Sequence, residues 1–275
     1  IMITKLIKKI LNNYAYDVFV NRNYDRKDSS IQTVSNTKNI DKTQYEQNGI
    51  LRFRSIFEQA NINQWRDCLN DELRTDEFLI KNKIGKYWIS SVDKISFGED
   101  IVSNTKLLNV LKILLGDTPK FIGHDSFSIN FSSPGIHDDQ NSYRELYPEQ
   151  ELDDVSEVRV LFNLNKESTE PQRFGFIPTS HLRKNHNFSL RKAKSNLIWI
   201  EVSFGDVIFF NPRTLHSADR LRGEKHMCVL TYDKQNSRLE KVYNHTSLIR
   251  NQGTKPNSLL WKKLSNYNLT PDFLK

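Results

Sequence analysis

Two stretches carry the side chains best suited to chemistry. The first is Gly135-Ile136-His137-Asp138-Asp139-Gln140, and the second, much later, is Gly205-Asp206-Val207-Ile208-Phe209-Phe210-Asn211-Pro212-Arg213-Thr214-Leu215-His216. In an extended strand, positions i and i+2 point to the same side, so His137 and Asp139 can grip one ion together while Asp138 faces away. His216 supplies a second imidazole. Two imidazoles and one carboxylate on one side of a metal leave the opposite positions open, which is the donor set of non-haem Fe(II) oxygenases. A bare His-x-Asp pair is common by chance. The Gly-Asp-Val-Ile-Phe-Phe run that ends in Leu215-His216 is what sharpens the reading.

Ligands so far apart in sequence need a fold that brings two strands together. The first 20 residues read as a helix with Ile3, Leu6, Ile7, Ile10 and Leu11 on one face, and core packing is preferred to a membrane-surface role. Asn21 to Thr43 is polar and reads as a connector or partly disordered arm. Ile50, Leu51 and Phe53 suggest a strand after the turn at Asn48-Gly49, and Phe57 to Leu73 shows helical spacing. Asn104 to Leu115 is a second helix, stopped by Gly116-Asp117 and Pro119. After Lys120 the texture is strands and turns: Phe121–Gly123, Phe127–Phe131, Val158–Leu164, Phe174–Ile177, Leu197–Val202, Val207–Phe210 and Met227–Tyr232. Val158, Val160 and Phe162 share one face. Leu259, Leu260, Trp261 and Leu264 suggest a docked C-terminal helix. Short strands preceded by helices argue for an α+β protein, mainly β, built on a β-sandwich or jelly roll.

The 275 residues fit one large domain or one domain with extensions. With 37% apolar and 27% charged residues the composition is that of an ordinary globular chain. No apolar run reaches the roughly 18 residues of a transmembrane helix, and Ile1 to Ile10 lacks the long apolar region and cleavage site of a signal peptide. Cys68 and Cys228 lie in separate apolar contexts and read as reduced core residues of a cytoplasmic protein. The net charge of +7 is uneven. Basic residues run from Arg183 to Lys194 and through the tail after Asp233, whereas Glu145 to Glu157 is acidic. Solvated faces are the simple explanation; an anionic substrate or an acidic membrane surface near the site is the sharper one. The basic runs are not interleaved with stacking aromatics, which argues against nucleic acid.

The chain resembles the phytanoyl-CoA dioxygenase family of Fe(II)/2-oxoglutarate oxygenases. The resemblance rests on Gly135 to Asp139, on Phe176-Ile177-Pro178-Thr179-Ser180-His181-Leu182, and on Gly205 to Phe210 with His216; Tyr45 to Phe53 and Leu114 to Pro119 fit as well. It covers about residues 45–233. It implies a double-stranded β-helix (a cupin-like jelly roll) with bracing helices. The expected organisation is an N-terminal helix and arm at 1–44, an oxygenase domain at 45–233, and a basic extension at 234–275 packing on that domain. The resemblance further implies Fe(II) on His137, Asp139 and His216, 2-oxoglutarate chelating it, O₂ as co-substrate, and hydroxylation of an unactivated C–H bond. Related halogenases lack the carboxylate, so Asp139 favours hydroxylation, with desaturation and epimerisation still open. The family carries an Arg for the distal carboxylate of 2-oxoglutarate; aligning the strand by its apolar alternation puts Lys225 there, a point charge in place of a bidentate fork. Arg222, or Arg220 beside it, is the fallback. Asn130 resembles a family position that touches 2-oxoglutarate, with His124 on the same strand face. Tyr143, Arg144 and Tyr147 are candidate substrate contacts.

Simpler roles stand beside these. His181 reads as a structural hydrogen-bonding residue, and His186, His226 and His245 as surface residues or neighbours of the site. Asp206 suits turn chemistry, and Phe209-Phe210 suits a core. The competing functions are a jelly-roll binding protein for a saccharide or acidic ligand, which would tolerate His216→Ala, and a Zn hydrolase, which needs a nearby general base. The expected partner is a small-molecule substrate, with an anionic or carrier-bound one favoured by the basic runs; peripheral membrane contact and oligomeric state stay open.

Overall fold

Alternation along the strands decides what each face meets. The computed structural model describes residues 31–72, 80–81, 87–89, 92–123, 126–129, 135–139, 156–167, 171–182, 196–219, 225–245 and 254–275. The expected helix over 1–20, His124, Asn130, Tyr143, Arg144, Tyr147, His186, Arg220, Arg222 and the basic run at 183–194 lie outside these residues.

The strands, in chain order, are β1 (Gln32–Val34), β2 (Ile50–Phe53), β3 (Ile80–Lys81), β4 (Tyr87–Ile89), β5 (Pro119–Phe121), β6 (Ser126–Ile129), β7 (Val158–Asn163), β8 (Gln172–Phe176), β9 (Ile198–Val202), β10 (Val207–Phe210), β11 (His216–Ala218) and β12 (His226–Lys234). Among the described residues they form two sheets. The larger runs β1-β2-β10-β7-β12-β6-β4-β3, with β5 also on β12, and the smaller runs β11-β8-β9. Every pairing is antiparallel except β1 with β2.

Two apolar clusters divide at the central strands by the period of two. Val158, Val160 and Phe162 of β7, Val207 and Phe209 of β10, and Cys228, Leu230 and Tyr232 of β12 face one way. There they meet Ile62, Trp65 and Leu69 of the helix Gln59–Glu72 and Leu107, Val110, Leu111 and Leu114 of the helix Thr105–Leu115. Leu161, Ile208 and Phe210 face the other way, against Phe174 and Phe176 of β8 and Ile198, Ile200 and Val202 of β9. The second cluster therefore lies between the two sheets, and the helices brace the outer face of the larger one. The Phe209-Phe210 pair is split between the clusters, one ring in each.

Local chemistry agrees with this packing. Asn104 caps the helix Thr105–Leu115 by accepting from Leu107 N (3.1 Å), and Gly116 ends it in the left-handed region at φ 70°. Leu260, Trp261 and Leu264 of the helix Leu259–Ser265 join the outer cluster, as does Leu269. No helix among the described residues is long and apolar enough to cross a membrane. Cys68 and Cys228 are both free, and Cys228 is buried.

From residue 31 the polar connector carries β1, a 3-10 turn at Thr37–Asn39 and the start of the helix Lys42–Asn48. Its polar residues act as caps: Asn36 accepts from Lys38 N (3.0 Å), and Asp41 accepts from Gln44 N (3.2 Å). The Gln32 side chain ties β1 to the turn by bonding Asn39 O and Asp41 N, each at 3.2 Å.

Candidate metal centre

The segment carrying His137 and Asp139 is locked to the segment carrying His216 by backbone. His137 and His216 are directly opposite and exchange both hydrogen bonds, His137 N to His216 O at 2.9 Å and His216 N to His137 O at 2.8 Å. Asp139 N also donates to Pro212 O at 3.0 Å. Residues distant in sequence thus become neighbours at one sheet edge.

The loop before His216 is held from two further sides. Asn211 N and the Thr214 hydroxyl both donate to Gly49 O, at 2.9 and 3.2 Å. The buried Ser180 hydroxyl donates to Ile177 O (2.6 Å) and accepts from Leu215 N (2.9 Å). His181 Nε2 donates to Glu46 O at 2.8 Å. The Pro178-Thr179-Ser180-His181 run and the Asn48-Gly49 turn therefore act together as the seat of the His216 loop. Asp206 belongs to the tight turn entering β10, accepting from Ser203 N (3.3 Å), and it also pairs with Arg52 Nη2 at 2.5 Å.

Within this frame the three expected ligands converge. Their donor atoms all lie within 4.8 Å of one another, the one such group of histidine, cysteine and acidic side chains among the described residues. Asp139 Oδ1 is 3.6 Å from His216 Nε2 and 4.0 Å from His137 Nε2. Each imidazole has its other nitrogen on a carbonyl 2.8 Å away, His137 Nδ1 on Gly135 O and His216 Nδ1 on Thr214 O. A carbonyl can only accept, so both Nδ1 atoms carry the proton and both Nε2 lone pairs face Asp139. Burial pushes the His216 pKa below its ordinary value, against the opposing pull of Asp139, which keeps that ring neutral and ready to ligate.

Three electron-pair donors this close have no proton to share, and a divalent cation between them would satisfy all three. The Nε2 to Oδ1 separations are somewhat wider than the roughly 3 Å between neighbouring ligands of an ion held at about 2.1 Å. Small side-chain rotations would close the set. The neighbouring Asp138 is buried, outside the cluster, as the alternation requires.

Lys225 sits inside the molecule, 1% exposed, immediately before β12 and in phase with Met227 and Val229, which pack against the inter-sheet cluster. Its Nζ lies 4.8 Å above the centre of the Phe174 ring. His226 and His245, expected at the surface or beside the site, are buried, with His226 Nε2 3.2 Å from Asn70 Oδ1. Two cavities of about 590 and 620 Å³ are lined by other residues, neither including a triad member.

One residue at the centre went unread in the sequence. Arg159 of β7 is buried, its Nε 3.4 Å from Asp139 Oδ2, and its Nη1 donates to the Thr231 hydroxyl on β12. The sequence shows only a lone cation within the apolar run Val158-Arg159-Val160-Leu161-Phe162, which does not by itself say which way it points.

No protein-family model matches the chain, and no curated protein sequence does. Solved structures do. The carbocyclase SnoK of nogalamycin biosynthesis, described as non-haem and α-ketoglutarate-dependent, superposes with a TM-score of 0.58 at 15% identity, over 74% of this chain and 87% of that one. The epimerase SnoN, in complex with Fe³⁺, α-ketoglutarate and nogalamycin RO, gives 0.56 at 13% identity, over 70% and 82%. A second SnoN structure gives 0.55 at 13%, over 70% and 79%. The chain shares the fold of these enzymes.

Proposed function

We propose that this protein is an Fe(II)- and 2-oxoglutarate-dependent oxygenase with a double-stranded β-helix core, akin to the phytanoyl-CoA dioxygenase family, that hydroxylates an unactivated C–H bond of a small anionic or carrier-bound metabolite. The observation that carries it is the grouping of two imidazoles, each with Nδ1 on a carbonyl, and one carboxylate, their ligand atoms within 4.8 Å of one another. The shared fold with SnoK and SnoN supports the same reading.

His137, Asp139 and His216 would hold the metal, which with 2-oxoglutarate and O₂ supplies the oxidising power. The chain's own residues bind and orient. Gly135 O and Thr214 O keep the two rings in the ligating tautomer. Asp139 occupies a position that an incoming halide would need, which favours hydroxylation over halogenation. The Lys225 ammonium, enclosed beside Phe174, is suited to hold the distal carboxylate of 2-oxoglutarate as a point charge. Tyr143 and Arg144 remain proposed substrate contacts, with Arg222 and Asn130 as secondary contacts to the cosubstrate.

The test is 2-oxoglutarate turnover to succinate with added Fe(II) across a panel of anionic metabolites, read with product mass. The reading predicts turnover with gain of one oxygen in the product, abolished in His137→Ala. A product that has lost two hydrogens, or is unchanged in mass, replaces hydroxylation with ring closure, desaturation or epimerisation. Metal-loaded protein that turns over no 2-oxoglutarate with any substrate overturns the reading.

A further inference from the structure

The two oxygens of Asp139 face different partners. Oδ1 is turned to His137 Nε2 and His216 Nε2, at 4.0 and 3.6 Å, whereas Oδ2 is turned to Arg159 Nε at 3.4 Å. The guanidinium is nearly as enclosed as the core: the Arg159 side chain is 3% exposed, against 26% for Asp139. It cannot swing away. Its backbone is central in the larger sheet, opposite Thr231 of β12 on one side and Phe210 of β10 on the other, and Nη1 donates to the Thr231 hydroxyl.

We infer that Arg159 is a positioning residue that makes Asp139 a one-oxygen ligand and keeps the metal's charge available to a dianionic cosubstrate; this rests on the oxygenase reading above. Two physical consequences follow from the geometry. A carboxylate whose second oxygen faces a fixed cation has little freedom to rotate and chelate the ion with both oxygens, so a coordination position stays open. Charge runs the same way. Asp139 brings one negative charge and Arg159 one positive, so a dication here keeps a local charge of about 2+, where an unpaired carboxylate would reduce it. A ligand such as 2-oxoglutarate, which carries two carboxylates, is held more tightly by that ion, while the bare ion is held less tightly. Metal affinity and cosubstrate affinity therefore move in opposite directions when Arg159 is lost. A purely structural lesion lowers both.

The experiment uses the full chain with Co(II), a visible stand-in for Fe(II), and measures Co(II) affinity, the Co(II) absorption spectrum, and 2-oxoglutarate affinity of the Co(II)-loaded protein. Arg159→Met is expected to bind Co(II) at least as tightly as the parent. It should show an altered spectrum from the second Asp139 oxygen and lose about tenfold or more in 2-oxoglutarate affinity. Arg159→Lys keeps the charge without the fork and should recover part of that loss. Thr231→Val leaves the guanidinium in place but removes its tether, giving a smaller change of the same sign, and it serves if Arg159→Met does not fold. If Arg159→Met, or Thr231→Val in its place, leaves the spectrum and 2-oxoglutarate affinity at parental values, or if metal and cosubstrate affinity fall together, the role of Arg159 is overturned and the oxygenase reading stands. If the parent protein binds no Co(II), or binds it equally in His137→Ala, both fall.

Discussion

Thr179 holds φ at 66°, in the left-handed region that a β-branched residue enters at a cost. The flanking bonds, Thr179 N to Asn48 O (3.1 Å) and Leu182 N to Thr179 O (3.1 Å), hold it there. Thr179→Gly should therefore stabilise the protein, by about 0.5–1 kcal/mol after the extra chain entropy of glycine is offset. Urea unfolding checks it, and a loss of stability would show that the threonine side chain contributes more than its strain costs. At this scale the sequence is unevenly legible. The two-residue period puts His137 and Asp139 on one side, but it took the later Gly205–Phe210 run and His216 to set them apart from a chance pair. Arg159 could not, because an arginine between valines looks like the solvated half of a half-buried strand; only the second sheet, packed over that face, turns it inward.

Among the elements, the Asn48-Gly49 turn is the joint between β2 of the larger sheet and the His216 loop. Gly49 has φ 75°, and a Cβ there would lie 2.5 Å from both His181 Nδ1 and Thr214 Oγ1. Gly49→Ala should cost about 2 kcal/mol or more, and it should also weaken Co(II) binding, because Thr214 is two residues from the ligand it seats. Paired denaturation and metal titration check both halves; lost stability with unchanged metal affinity would break the proposed link between turn and ligand loop. The strands β2, β7, β9 and β10 and the helix Thr105–Leu115 were readable from apolar period and caps. The strand β11 was not: three residues, His216 to Ala218, give no alternation to count, and the strand exists because Phe176, Gly175 and Phe174 pair with it. Likewise β1 is a strand because β2 lies beside it in parallel register.

For the whole molecule, acid should act through buried imidazoles. The pKa values of His181 and His216 both lie below the ordinary 6.5, chiefly through burial. The unfolded chain then takes up these protons before the native one does, so native stability falls as pH drops through and below about 6.5. Asp233 works in the opposite sense, its pKa raised by burial despite bonds from Ser156 and Asn236, so its destabilising charge is removed as pH falls toward the acid range. Metal-free protein should lose melting temperature between pH 7 and 5, with less loss in His181→Gln; a flat profile would contradict the buried neutral rings. The two-sheet architecture was legible as many short strands. The enclosure of Arg159 was not, since its inward placement depends on the second sheet packing over that face, whereas Lys225 could be put in phase by the alternation of its strand. The most direct test of the account is a crystal structure grown without oxygen in the presence of Fe(II) and 2-oxoglutarate. It should show one ion bound by His137 Nε2, a single oxygen of Asp139 and His216 Nε2, with 2-oxoglutarate on the open side. An ion bound elsewhere, or either imidazole turned to present Nδ1, would contradict it.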